Sequence, residues 1–323
     1  MAVLEVKNLT TEFGSGSSAL TVVKDVSFSV AEGEIMGLVG ESGSGKSVTG
    51  FSLMGLVAAP GAVTGGSIRF EGRELRGLPE KQMQHLRGNR IGMIFQDPMS
   101  TLNPVLRIDT QMIETIMAHE KVSRKVAWER SRDALGMVGI PSPEERLRAY
   151  PHQFSGGMRQ RVAIAIAMLH EPRLLIADEP TTALDVTIQA QILAMMQRLA
   201  KDRGMSLIWI THDLSVIAGF AESVAVMYAG RLVEAGPVSE VLSAPRHPYT
   251  KGLIESLPSS TRRGEALRQI NGVTPSLARL PKGCAFHPRC PNATEICLTE
   301  PTLIEHGARN LRCFNPVHQE GQR

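Results

Sequence analysis

The sequence has few of the features that would place it across a membrane or on a nucleic acid. No stretch approaches the roughly 18 consecutive apolar residues that a membrane-spanning helix needs. Aromatic residues make up only 4% of the chain, which disfavours base-stacking platforms for single strands. The net charge is +3, too small for the footprint of a DNA- or RNA-binding surface. We therefore expect no membrane span and no nucleic-acid partner.

Two further shortages bear on location and redox chemistry. Residues 1–7 lack the basic start and long apolar core of a signal peptide, so we expect a cytoplasmic protein that reaches a membrane only through a partner. The chain has only four cysteines, and all of them lie between positions 284 and 313. Clustered cysteines in a cytosolic chain indicate a metal site more than disulfide bonds.

The chain does contain a glycine-rich loop with diagnostic spacing. Residues 40–47, the phosphate loop, read Gly-Glu-Ser-Gly-Ser-Gly-Lys-Ser. They follow the apolar run 35–39, which predicts a buried strand, and precede residues 48–54, which can start a helix. This context distinguishes a phosphate site from an ordinary Gly/Ser turn, because glycines turn N–H groups inward and the helix N-terminus adds positive charge.

The phosphate loop supplies most of the predicted ATP ligands. Lys46 is expected to reach the β- and γ-phosphates, and the Ser47 hydroxyl to ligate Mg²⁺. The predicted ligands in and beside the loop are Gly40, Ser42, Gly43, Ser44, Gly45, Lys46, Ser47 and Val48.

A pair of adjacent acids is the second chemical feature. Asp178 and Glu179 follow the apolar run 174–177, which predicts a strand that ends in two carboxylates. Asp178 is predicted to coordinate Mg²⁺, directly or through water, and Glu179 to polarise an attacking water as general base. The alternative is a solvated strand end.

Hydrophobic periodicity predicts an α/β fold. Alternating patterns predict half-buried antiparallel strands at 2–7, 20–30 and 66–70. Apolar runs that alternate with helical segments predict a parallel sheet covered on both faces; they lie at 91–95, 174–177, 207–210 and 224–227. Predicted helices cover 79–90, 108–119, 123–139, 157–170 and about 186–203.

These patterns also suggest a domain organisation. The phosphate loop in this α/β pattern is similar to that of P-loop NTPases, which implies a RecA-like parallel core with an antiparallel β layer over residues 1–245. A helical subdomain is expected at about 97–170. Prolines recur after residue 245 and the cysteines begin, so residues 246–323 are predicted to form a separate cysteine-rich C-terminal region.

Residues 154–160, Phe-Ser-Gly-Gly-Met-Arg-Gln, resemble the LSGGQ signature motif of ABC-type ATPases. They lie shortly before the acid pair, as that family requires. Phe154 and Met158 depart from the usual Leu and Gln, but the Ser155 hydroxyl and the Gly-Gly backbone are kept. The resemblance covers residues 1 to about 240 and implies two-site hydrolysis, with each ATP held between the phosphate loop of one subunit and the signature of another.

The resemblance also implies roles for single residues. In the signature, Ser155, Gly156, Gly157 and Met158 would face the ATP bound by the partner subunit. Gln96 would contact Mg²⁺ and the attacking water, and His212 would hold the γ-phosphate. Asp185, in the D-loop Ala183-Leu184-Asp185, would touch the other subunit, and Phe13 would stack on adenine.

Three segments resemble the dipeptide- and oligopeptide-importer ATPases in particular: residues 96–104, 247–253 and 283–290. This implies an ATPase that powers peptide import. Its partners would be two membrane-spanning permease subunits, a second ATPase subunit in a heterodimer, and an extracytoplasmic peptide-binding protein. It would lie on the cytoplasmic face of the bacterial inner membrane. An importer of nickel or another small solute is the main alternative, and an ABC ATPase acting on nucleic acids or ribosomes is a further one.

The cysteines Cys284, Cys290, Cys297 and Cys313 do not show the paired C-x2-C spacing of common zinc ribbons. Four thiolates suit either a [4Fe–4S] cluster or Zn²⁺. Tails of related importer ATPases resemble this one and hold an iron–sulfur cluster, so [4Fe–4S] is the favoured interpretation. Zn²⁺ and free core cysteines are the alternatives.

Overall fold

The computed structural model describes residues 2–16, 19–182, 184–258 and 268–317. Contacts divide the chain into two compact units. The first unit holds residues 31–33 and 77–209, and the second holds 2–30, 34–76 and the described part of 210–323. The domain boundary predicted at residue 245 stays a prediction.

The strands, in chain order, are β1 (Ala2–Phe13), β2 (Leu20–Ala31), β3 (Ile35–Val39), β4 (Gly61–Phe70), β5 (Arg73–Glu74), β6 (Ile91–Ile94), β7 (Leu174–Asp178), β8 (Ser206–Thr211), β9 (Ser223–Tyr228), β10 (Arg231–Pro237), β11 (Ile304–His306) and β12 (Arg309–Leu311). The α-helices are α1 (Lys46–Met54), α2 (Glu80–Leu86), α3 (Pro98–Thr101), α4 (Ile108–His119), α5 (Arg124–Met137), α6 (Pro143–Leu147), α7 (Gly156–Met168), α8 (Val186–Arg203), α9 (Leu214–Ile217), α10 (Val238–Ser243) and α11 (Pro248–Glu255). Single 3-10 turns lie at Pro151–Gln153, Leu277–Arg279, His287–Arg289 and Glu295–Leu298.

The second unit contains the predicted antiparallel layer, with strand order β2-β1-β4-β5. β1 is longer than the segment 2–7 suggested, because its pairing with β4 continues to Phe13 opposite Gly61. The register shifts between Lys7 and Thr10. Such an irregularity changes which residues face inward and so interrupts the alternation on which a sequence-based prediction depends.

The second unit also contains strands β11-β12-β10-β9-β3, in that order. β3 and β9 are parallel, with Met36 opposite Ser223, and every residue of β3 is buried, as parallel strands usually are. The tail adds β12 to β10 in antiparallel register, with Ala235 opposite Asn310. Sequence reasoning missed these tail strands because three-residue strands are too short to show a period.

The first unit places β6 and β7 side by side in parallel, with Ile94 opposite Ala177, and β8 next to β7. The predicted bounds of α4 and α8 agree with the structure. α2 ends at Leu86, before the predicted end, because Arg87 turns to an extended conformation and forms a bridge with Ile91. The mixed α/β fold with parallel and antiparallel sheets is confirmed.

None of the helices in the described ranges is long and apolar enough to cross a bilayer.

Candidate nucleotide site

The phosphate loop joins β3 to α1, as the sequence predicted, and α1 begins at Lys46 rather than at Val48. Gly45 is the N-cap of α1 and has φ 98°, a left-handed conformation that glycine adopts without strain. A Cβ at Gly40 would lie 2.2 Å from the carbonyl oxygen of Met227, so the close approach of β9 excludes any larger residue there. The resulting backbone curl at a helix N-terminus suits the binding of phosphate oxygens.

Lys46 folds back over the phosphate loop. Its side chain is buried, and its Nζ donates to the carbonyl oxygens of Gly40 at 2.7 Å and Glu41 at 3.0 Å. The loop is also fixed to the turn between β9 and β10, because the Gly230 N–H donates to the Ser44 carbonyl at 2.9 Å. The ammonium group therefore lies inside the cradle in which we predict the β- and γ-phosphates, and the residues present fit a nucleotide polyphosphate.

Glu41 receives contacts that sequence reasoning missed. Arg289 and Thr274 bind its carboxylate, and its N–H donates to the Tyr249 hydroxyl at 2.9 Å. Burial raises the pKa of the Glu41 carboxyl, but hydrogen bonds from Arg289 and Thr274 and the charges of Arg289 and Lys46 outweigh it, so the pKa lies below its usual range. The acid inside a phosphate-binding loop is a sequence signal that favours a nearby counter-charge, although it does not identify Arg289.

In the first unit, β7 ends in the predicted acid pair. Asp178 is 2% exposed, and Glu179 is half-buried with φ 45°, a conformation that non-glycine residues rarely adopt. Such backbone outliers persist where the surrounding structure enforces them, often at functional sites. The Glu179 Oε2 accepts from Thr182 Oγ1 at 3.0 Å and from Gln96 Nε2 at 3.3 Å.

Gln96 comes next to Glu179 because of sheet register. β6 and β7 run parallel and end at the same edge, so the residues that follow the two strands lie close together. The structure therefore brings together two of the side chains to which sequence reasoning assigned catalytic roles.

The signature segment begins α7. Ser155 is the N-cap, and its Oγ accepts from the Met158 N–H at 3.3 Å. A Cβ at Gly157 would lie 2.9 Å from the Ile188 side chain on α8, so close helix packing requires glycine. The glycines thus give α7 an open N-terminus of the kind that binds anions.

The D-loop segment leads into α8. Asp185 is the N-cap of this helix and accepts from the Ile188 N–H at 2.9 Å. Leu184 is described, whereas Ala183 lies outside the described residues.

The remaining predicted ligands lie in the second unit. Phe13 ends β1 and is half-buried, with its ring against Gly61. His212 follows β8 and is exposed. The turn after it is shaped by Asp213, which accepts from the Ser215 N–H at 2.8 Å as the N-cap of α9.

The four cysteines are free thiols, and Cys297 is buried. Burial, with a smaller contribution from the nearby Cys290, Cys284 and Cys297, raises the pKa of the Cys313 thiol to about 12. The thiols are therefore close enough to influence one another. In the part of the chain that the structure describes, however, no group of three or more His, Cys, Asp or Glu side chains is arranged to hold a metal ion. The predicted metal site at the four cysteines is thus not confirmed.

A glycine loop at a helix N-terminus, inserted after a parallel strand, defines the class of P-loop nucleotide-binding proteins. Two family descriptions match this chain: "ABC transporter" over residues 23–182, and "Oligopeptide/dipeptide transporter, C-terminal region" over residues 233–297.

Relatives match over nearly the whole length. The oligopeptide transport ATP-binding protein OppD of Escherichia coli (strain K12) is 50% identical over 98% of this chain and 94% of its own. The dipeptide transport ATP-binding protein DppD of Haemophilus influenzae is 47% identical over 99% of this chain and 98% of its own. The chain therefore belongs to the ABC transporter family, in the group of peptide-transport ATP-binding proteins, and is an ABC-type ATPase.

Solved structures agree with this assignment. The ATP-binding cassette MJ0796, in a dimeric post-hydrolysis state bound to ADP and Pi, has a TM-score of 0.66 at 26% identity and covers 73% of this chain and 98% of its own. The structure of cbiO1 from Clostridium perfringens, part of the ABC transporter complex cbiONQ, has a TM-score of 0.65 at 27% identity and covers 75% and 91%.

Proposed function

We propose that this chain is the ATP-hydrolysing subunit that powers import of di- and oligopeptides through a membrane ABC transporter. The observation that carries the proposal is the phosphate loop with Lys46 buried in its cradle. The peptide substrate is supported by the relatives named for oligopeptide and dipeptide transport, and by the C-terminal region that matches over residues 233–297.

In this proposal the second unit binds the nucleotide. The phosphate loop and Val48 bind the phosphates through their N–H groups, and Lys46 neutralises the β- and γ-phosphates. Phe13 stacks on the adenine, and His212 holds the γ-phosphate. The Ser47 hydroxyl is one of the Mg²⁺ ligands.

The acid pair and Gln96 supply the residues of the hydrolytic step. Asp178 and Gln96 are the further Mg²⁺ ligands; bound Mg²⁺ would neutralise charge on the phosphate oxygens. Glu179 takes a proton from the attacking water, and the water oxygen bonds to the γ-phosphorus. The bond between the γ-phosphorus and the ADP oxygen breaks, which gives ADP and phosphate. Gln96 already donates to the Glu179 carboxylate and so orients it.

A second subunit completes each site in this proposal. Ser155 to Met158 bind the γ-phosphate held by a partner ATPase subunit, and Asp185 contacts that partner. The partner is a different ATPase chain, and two permease subunits carry the solute that an extracytoplasmic binding protein delivers. Residues 98–120 follow Gln96 and transmit nucleotide state to the permease, and the complex lies on the cytoplasmic face of the inner membrane.

We also propose that Cys284, Cys290, Cys297 and Cys313 hold a [4Fe–4S] cluster. Four soft thiols suit such a cluster, and the other three cysteines contribute to the raised pKa of the Cys313 thiol, which supports their proximity. An anaerobically purified protein should show absorbance near ~400 nm and iron in a ratio of about four per chain. Zinc without that absorbance supports the alternative metal, and absence of both refutes a metal site.

Uptake by the assembled transporter tests the main proposal. Cells that lack the gene should fail to take up labelled dipeptides, the intact gene should restore uptake, and Lys46→Ala should not. Uptake of labelled nickel tests the alternative function. Nickel uptake that depends on the gene, with unchanged peptide uptake, would replace the peptide assignment while the ATPase assignment stands.

A further inference from the structure

Glu41 places a carboxylate inside the phosphate loop. Its carbonyl oxygen accepts from Lys46 Nζ at 3.0 Å, so the residue lies beside the group that we propose meets the triphosphate. A carboxylate there would repel the phosphates unless another group neutralised it. The structure supplies that group from a segment of the tail.

Arg289 makes a two-pronged ion pair with Glu41. Its Nη1 donates to Oε2 at 2.8 Å and its Nη2 to Oε1 at 3.1 Å. The Thr274 hydroxyl also donates to the Glu41 carboxylate. Bidentate guanidinium–carboxylate pairs fix orientation as well as charge, which a lysine cannot do.

Arg289 is itself held in place by contacts within the tail and with an aromatic ring of β9. Its side chain is only 6% exposed, and its Nε donates to the Asn271 carbonyl at 3.0 Å. The guanidinium lies 5.8 Å from the ring centre of Tyr228 and 5.9 Å from that of Phe286. Aromatic faces attract a cation, so the ring cluster positions the charge and limits its freedom.

Tyr249 joins Tyr228 and Phe286 in one cluster of aromatic rings and fixes the backbone of the phosphate loop. Tyr249 is fully buried, packs 4.6 Å from Tyr228 between ring centres, and accepts the Glu41 N–H through its hydroxyl. One loop residue is thus held at its backbone by Tyr249 and at its side chain by Arg289.

The charges of the pair balance. Burial lowers the pKa of the Arg289 guanidinium, but the hydrogen bonds and charges of Glu41 and Tyr228 outweigh it, so this pKa lies above its usual range. Because the pKa of Glu41 is lowered, both partners are ionised at neutral pH. The loop therefore presents the cation of Lys46 without a competing uncompensated anion.

We propose that Arg289 is a positioning residue for the phosphate loop, which makes the tail segment that carries it a working part of the ATP site. It acts through Glu41, by neutralising the carboxylate and fixing the loop. The inference rests on the ATP-binding role proposed above and assigns a nucleotide-linked task to a segment outside the ATPase motifs.

The test is a double-mutant cycle on the full chain, with the dissociation constant of a fluorescent ATP analogue and Mg²⁺ as the readout. Arg289→Gln should weaken binding about tenfold, or about 1.4 kcal/mol, because it leaves Glu41 uncompensated. In the Glu41→Gln background the same substitution should change binding by less than about threefold, because no anion remains to be neutralised. Added salt should reduce the Arg289→Gln defect.

Arg312→Gln is the matched control. It removes another tail arginine, with a side chain 4% exposed and an ion pair to Asp25 at 2.9 Å, which lies outside the phosphate loop. Its unfolding temperature should fall while nucleotide affinity stays within about twofold of wild type, since only stability is affected.

The outcomes separate the two proposals. If Lys46→Ala binds nucleotide as well as wild type, the proposed ATP site itself is wrong. If Lys46→Ala loses binding but Arg289→Gln does not, only the positioning role is refuted. A loss in Arg289→Gln that persists in the Glu41→Gln background also refutes it, because the arginine would then act without Glu41.

Discussion

Replacing Glu179 with glutamine should abolish most hydrolysis while leaving the protein folded and able to bind ATP. The hydrogen bonds that Thr182 and Gln96 donate to this side chain end on the same oxygen, Oε2. The glutamine carboxamide oxygen can occupy that position and accept both bonds. We therefore expect the free energy of unfolding to change by less than about 0.5 kcal/mol.

The catalytic effect should be much larger than the structural one, because a carboxamide cannot accept a proton from water. A positioned general base contributes roughly 10²- to 10⁴-fold to a rate. That range corresponds to about 3–5 kcal/mol in activation free energy, at 1.36 kcal/mol for each factor of ten. Turnover should fall by this factor, and ATP-bound dimers should accumulate.

Steady-state phosphate release and light scattering with ATP measure the two effects. Glu171→Gln is a suitable control, because Glu171 also has positive φ, 50°, and lies just before β7 rather than just after it. Its ion pair is with Arg203, and its replacement should leave turnover unchanged. Turnover of Glu179→Gln within about threefold of wild type would remove Glu179 from the role of general base.

Three further predictions concern the loop, a helix cap and pH. Gly40→Ala should abolish nucleotide binding, because the new Cβ would lie 2.2 Å from the Met227 carbonyl oxygen. At Gly43 a Cβ meets no atom within 4 Å, so Gly43→Ala should bind the fluorescent ATP analogue more tightly than Gly40→Ala does. Asp185→Ala should cost about 1 kcal/mol in urea unfolding by removing the cap of α8, whereas Asp185→Asn keeps an acceptor and should cost less. Burial lowers the pKa of His247 from 6.5 to about 3. Between these two pH values the unfolded state therefore binds more protons than the folded state does. The free energy of unfolding should fall as the pH drops below 6.5, by at most about 1.4 kcal/mol per pH unit. His247→Asn keeps an acceptor for the Tyr249 N–H and should flatten that part of the stability curve; an unchanged slope would show that another group causes it.

The features that sequence reasoning found are those encoded in short contiguous stretches. Residues 40–47 specify their own turn, because each glycine conformation is local and the apolar run 35–39 before them predicts the buried strand that leads into it. The acid pair and the signature are likewise read from a few neighbouring residues. The proximity of Glu179 to Gln96 follows from the parallel register of β6 and β7 that the structure shows.

The features that it missed depend on partners far apart in the chain. Glu41 and Arg289 are 248 positions apart, and nothing near either residue indicates the other. The pairing of β12 with β10 is similarly non-local, and a three-residue strand has no measurable period. The extension of β1 to Phe13 was missed because a register shift interrupts its alternation.

The antiparallel pairing of β12 with β10 has a consequence for the order in which the protein matures on the ribosome. β10 leaves the ribosome long before residues 309–311, so its edge first emerges without this neighbour. During that interval the carboxylate of Glu234, later buried against Arg309, must stay hydrated. An open strand edge invites pairing with other chains. Nascent chains that stall before residue 309 should therefore be a preferred target for chaperones.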